Sequence, residues 1–204
     1  MTPCLVALAA AAIFLLVARE LLRLQPAFAL RAEYCPSLEV SIQRAKVEVV
    51  ASRVPLRVVV LRAALLPHGG LRWAQLTLRA GGQASLEVAA VGHLATSGER
   101  RRVELEPAIG EQLGALVAAF AAAEVPRFGE GLVHDGAPVE LALVEGGAPP
   151  RVAAGNLAAV APDERTPPPV ELARALLALS AELLGGRSLV GGCDARGQVT
   201  LQEL

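Results

Sequence analysis

From residue 33 onward, apolar side chains return at every second position, and this pattern limits the folds open to the chain. In LEVSIQ, Leu38, Val40 and Ile42 share one face, while Glu39, Ser41 and Gln43 share the other. KVEVV, LRVVVL, LRWAQLTLR, ASLEVAAV and RRVELE follow, with Pro55 punctuating the second gap. A period of two is that of a β-strand, whose successive side chains point to opposite faces. About six short strands are expected, joined by glycine-rich turns of hairpin length at PHGG and RAGGQ, as an antiparallel meander. Within LRWAQLTLR the phase slips between Leu71/Trp73 and Leu76/Leu78, which predicts a bulge near Ala74.

The period then changes. Ile109, Leu113, Leu116, Val117 and Phe120 fall at helical spacing behind Pro107, a residue suited to a first helical turn. An alternating stretch, Val139, Leu141 and Leu143 against Glu140, follows the tight turn Asp135-Gly136. PPRVAAGNLAAVAPDERT holds one short strand at most. A second helix has Thr166 as its expected N-cap, Glu171 in its first turn and Gly185 as its stop. Its stripe is Val170, Ala173, Leu176, Leu177, Ser180, Leu183 and Leu184. A closing hairpin is expected about residues 194–197. The fold class expected is α+β: a mainly antiparallel sheet with two amphipathic helices packed on one face, preceded by an N-terminal hydrophobic helix.

That first helix is read from MTPCLVALAAAAIFLLVARELLRL, in which residues 3–18 carry no charge. Eighteen helical residues reach about 27 Å at about 1.5 Å each, against a bilayer core of about 30 Å. Arg19 can snorkel, and Leu21, Leu22 and Leu24 extend the apolar face. A cleaved signal fits less well. No Lys or Arg precedes the run, and the small-x-small site Ala27-Phe28-Ala29 lies beyond Arg19, Glu20 and Arg23. A retained anchor over residues 1–24 is preferred to a cleaved signal or a buried core helix, with one α+β domain over residues 33–204. Arg19, Arg23 and Arg31 would keep that domain in the cytoplasm by positive-inside counting. A single anchor on a small bacterial domain argues for export, and the expected location is the outer side of a bacterial inner membrane. There Cys35 and Cys193, near the two ends of the domain, form a possible disulfide, two unrelated thiols being the alternative.

Little points to chemistry. His68, His93 and His134 each sit beside Gly or Asp in an expected turn, and no Ser lies in a G-x-S-x-G elbow. The cysteines lack the paired spacing of zinc sites, and no glycine-rich stretch carries the Lys-Ser/Thr of a P-loop. No catalytic, cofactor-binding or metal-binding residue is assigned, and no cofactor is expected. Net charge is −1, and Arg100, Arg101 and Arg102 are flanked by Glu99, Glu104 and Glu106, so they read as an exposed strand face and no nucleic acid is expected as partner. Lys46 is the sole lysine beside eighteen arginines, a bias of GC-rich bacterial genomes that carries no information on binding. Trp73 reads as core.

Between about residues 81 and 184 the layout is glycine-bounded strands, LGALVAAFAAAEVPRF, DGAPVELALVEGG and PPPVELARALLAL. This outline resembles small bacterial envelope domains of unknown function and the emfourin-type inhibitors of thermolysin-like metalloproteases. CPSLEVSI is similar to the Cys-Pro start of one such uncharacterised family. The resemblance implies a binding domain, transfers no functional residue, and leaves the strands between residues 46 and 78 as additions. One anchor before a small α+β domain also resembles the TolR/ExbD subunits of energy-transducing complexes. Those carry an aspartate in the anchor, and here no ionisable group but the Cys4 thiol lies between residues 2 and 18. The functional expectation is a non-catalytic envelope domain with an unknown protein partner, touching the lipid bilayer through residues 3–18. A protease-inhibitor-like binder and a hydrolase or metal-dependent enzyme are the alternatives.

Overall fold

The computed structural model describes residues 29–65, 70–92, 98–129, 136–160, 166–184, 192–193 and 199–200. The expected anchor over residues 1–24 lies outside them. Residues 29–34 are helical. The elements that follow are α1 (Leu38–Ala51), β1 (Leu56–Leu65), β2 (Gly70–Arg79), β3 (Ala84–Val91) and β4 (Gly98–Glu104). After them come α2 (Pro107–Ala122), β5 (Arg127–Phe128), β6 (Pro138–Glu145), β7 (Arg151–Asn156) and α3 (Pro168–Leu183). A two-residue ladder, β8 (Gly192–Cys193) with β9 (Val199–Thr200), brackets the expected closing hairpin. Strands β1 to β7 form one sheet in the order β4-β3-β2-β1-β6-β7-β5, antiparallel throughout except where β5 runs parallel to β7. The class is therefore the α+β arrangement expected.

Both faces of this sheet are covered. On the first, Val59, Leu61, Leu76, Leu86 and Leu141 meet Leu113, Val117 and Phe120 of α2 and Val170, Ala173 and Leu176 of α3. These are the two amphipathic helices anticipated on one face. On the second face, Val58, Val60, Trp73, Ala89 and Val144 meet Ala45 of α1, with Leu38, Ile42 and Val49 beside it and Leu30, Tyr34 and Cys35 from the segment ahead.

Residues 38–51 were expected as two strands and are a helix. Leu38, Ile42, Ala45 and Val49 also recur at helical spacing, and those are the residues that face the sheet. Val40 and Val47, which completed the period of two, are exposed. Local chemistry agrees with the helix: the Ser37 side chain accepts a bond from the Val40 amide at 3.3 Å, and Glu39 occupies the first turn. The Ser52 amide closes the other end on Glu48 O at 3.0 Å.

Two smaller expectations also change. The β1–β2 register runs unbroken from Leu56↔Arg79 to Leu65↔Gly70, so no bulge falls at Ala74. Trp73 is buried under the helix on one face and Leu76 under those on the other, and a strand covered on both sides needs no single phase. The N-cap of α3 is Pro167 with no side-chain bond, in place of Thr166. Gly81 and Gly82, with φ of 91° and 81°, make the turn between β2 and β3 as anticipated.

One buried polar link ties α1 to the sheet. The Trp73 indole N–H donates to Ser41 Oγ at 3.0 Å, and Ser41 in turn donates to Ser37 O at 3.0 Å. Both side chains are buried, so Ser41→Ala leaves the indole donor unpaired. We expect a loss of about 1–3 kcal/mol, read as a lower urea midpoint at unchanged slope.

Candidate functional site

Cys35 is 3% exposed, and its thiol faces the carbonyls of Leu71 at 3.7 Å and Ala89 at 3.9 Å. Burial pushes its pKa up from 9.0 to about 11, outweighing the opposite pull of Arg62, Arg72 and Arg100. The side chain of Cys193 and the whole of His68, His93 and His134 lie outside the described residues. Among the described residues, no three His, Cys, Asp or Glu side chains are grouped to hold a metal ion, and no helix is long and apolar enough to cross a membrane. Ser180 donates to Leu176 O at 2.6 Å within the buried stripe of α3.

Arg100, expected on an exposed face, is exposed, and it also clamps the segment ahead of α1. Cross-strand pairing aligns Arg100 with Ala89 and Ala89 with Trp73, which sets all three on the second face. The guanidinium stands 5.7 Å from the ring centroids of both Trp73 and Tyr34, and it donates to Glu33 O at 2.6 Å. That carbonyl belongs to the last turn of the helical segment 29–34, where acceptors lack intrahelical partners and a cation is favoured. Glu87 approaches the same guanidinium at 3.6 Å. Gly98 completes the seat, since a Cβ there would come 2.6 Å from the Tyr34 ring. Its neighbour Arg101 is turned the other way and pairs with Glu99 at 2.9 Å. The signal was available in the alternation of the Arg run, but its partner helix was not recognisable in sequence.

The concave feature of note is an open groove of about 880 Å³ at one end of the sheet, where β1 begins and β2 and β6 end. The carboxyl end of α1 forms one wall and the first half of α2 the other. Val49, Val54, Leu56 and Leu78 supply apolar surface, and Arg53, Arg57, Arg79, Glu111 and Glu145 supply charge. Arg57 pairs with Glu145 at 2.9 Å, while Arg79 reaches Glu104 only at 3.9 Å. Arg53 is exposed and has no ion pair among the described residues. Two glycines of α2 shape the wall for different reasons. A Cβ on Gly110 would press on Ala84 Cβ at 3.1 Å, so that glycine serves packing. A Cβ on Gly114 would meet nothing within 4 Å, so its absence only widens the groove. Its lining among the described residues thus combines apolar surface with charge of both signs.

Fold and groove together define an α+β protein with helices on both faces of its sheet and a mixed apolar and charged recess at the sheet end. No protein-family model matches the chain, and comparison with curated proteins finds no match.

The raised Cys35 pKa has a consequence for stability. Below pH 9 the thiol is protonated in both folded and unfolded chains, and its contribution is fully present. As pH rises toward 11 the unfolded thiol ionises first, so the contribution is lost. In reducing buffer we expect a fall on the order of 1–3 kcal/mol over that window, absent in Cys35→Ala. Maleimide labelling in urea without reductant distinguishes a free Cys35 from one bonded to Cys193.

Proposed function

We propose that this chain is a non-catalytic, membrane-anchored bacterial envelope domain that acts by binding a protein partner in the groove at the sheet end. Residues 3–18 hold it in the inner membrane, and the α+β domain stands on the outer side. The observation carrying this reading is the groove itself: about 880 Å³, open, apolar along Val54 and Leu78, with Arg53 in its lining and in no ion pair among the described residues. Such a recess accepts a protruding segment of another protein, its apolar side chains inward and an acidic group on Arg53. The opening beside Gly114 gives the segment room.

Gly114 also supplies the test, because filling the groove need not harm the fold. Gly114→Leu places a side chain in open space and replaces a poor helix former, which should raise stability by about 0.5–1 kcal/mol. In cells, a photocrosslinking residue at Gln83, on the groove lining, should give an adduct. We expect that adduct to disappear with Gly114→Leu and with Arg53→Glu. An adduct unchanged by both, or none from Gln83, overturns the reading.

A further inference from the structure

The outward side of α1 carries three exposed valines beside Glu39, Gln43 and Arg44. Val40 is 44% exposed, Val47 70% and Val50 82%. Val152 of β7, 43% exposed, adds to the same face, because cross-strand pairing aligns it with Ala142 and Ala142 with the second-face residue Val60. Glu48 of α1 is bonded to Gln75 of β2 at 2.9 Å, which turns the opposite flank of the helix toward β7. Val50 lies on that flank.

Charge around this strip leans slightly positive. Arg44 and Lys46 on α1 and Arg53 just beyond it stand beside Glu39 and Glu48, the last of which accepts a bond from Gln75. Chain connectivity adds a second constraint. The uncharged run ends at residue 18 and the described helical segment starts at residue 29, leaving residues 19–28 between them. Even fully extended, ten residues reach no more than about 36 Å. Arg100, Tyr34 and Cys35 then hold that segment to the second face, the face that α1 covers. The described chain thus begins on the same side of the sheet as the valine strip.

We propose that the outward face of α1 rests on an anionic phospholipid bilayer, with Val40, Val47 and Val50 in the interface and Arg44 and Lys46 at the headgroups. This rests on the anchored reading, and tethering is what makes so small a strip sufficient: the anchor keeps its effective concentration at the surface high. The strip would then fix the domain's orientation and leave the groove open at the side.

The test uses the full-length chain with Cys4→Ser and Cys193→Ser, reconstituted into phosphatidylglycerol–phosphatidylethanolamine vesicles and carrying an environment-sensitive fluorophore at Val47→Cys. Buried Cys35 is spared, and the same fluorophore at Arg101→Cys, on the opposite face, is the control. We expect bromolipids to quench position 47 and leave position 101 untouched, with quenching roughly twofold weaker in phosphatidylcholine vesicles. Chains that float with the vesicles while position 47 stays as bright as 101 overturn this inference and leave the anchor standing. Equal quenching in both lipids overturns the anionic preference. A signal that depends on protein density assigns the strip to a second copy or another protein. Chains that fail to float overturn the anchor and this inference together.

Discussion

Strand β1 sits in the middle of the sheet, and Val58, Val59, Val60 and Leu61 in it are fully buried. Consecutive residues point to opposite faces, so four in a row can be buried only if apolar matter covers both sides. Each such side chain is worth about 1.5–3 kcal/mol when removed from water. Before entropy is charged against it, their sum is comparable with the net stability of an ordinary domain, about 5–15 kcal/mol. The remaining architecture answers this demand. Helices α2 and α3 cover one face, and α1 with residues 29–34 covers the other.

How much of this was legible depends on which signal each segment carried. The sheet, its hairpins and the helices α2 and α3 followed from periods of two and of 3.6 with proline and glycine at their ends. Residues 38–51 satisfy both periods, and the need for a lid on the second face showed only in the unbroken apolar run from Val58 to Leu61. The Ser37 cap and the small buried pair Ser41 and Ala45 were the available clues. The phase slip in β2 was a correct observation with another cause, since burial on both faces removes the need for a single phase. Arg100 lies on an exposed face as expected, but without the helical segment 29–34 its aromatic and carbonyl partners had no place in the picture.

The groove was wholly invisible in sequence, because its lining comes from α1, β1, β2, α2 and β6 and its shape from a missing side chain at Gly114. No motif marks a surface of that kind. Its composition is consistent with contact and steric fit, and the pair Arg57–Glu145 at the surface contributes little by itself. The helix that closes the second face also supplies one groove wall and turns its valines outward. One element therefore links the core, the recess and the face proposed to meet lipid.

The central claim is that residues 38–51 form a helix locked to the second face through Ser41 and Trp73. Nuclear magnetic resonance on the isotope-labelled chain tests it most directly. The account predicts helical Cα shifts from Leu38 to Ala51 and a through-space contact between the Trp73 indole proton and Ser41. Extended-strand shifts over those residues, with the indole proton exchanging freely with water, would contradict it.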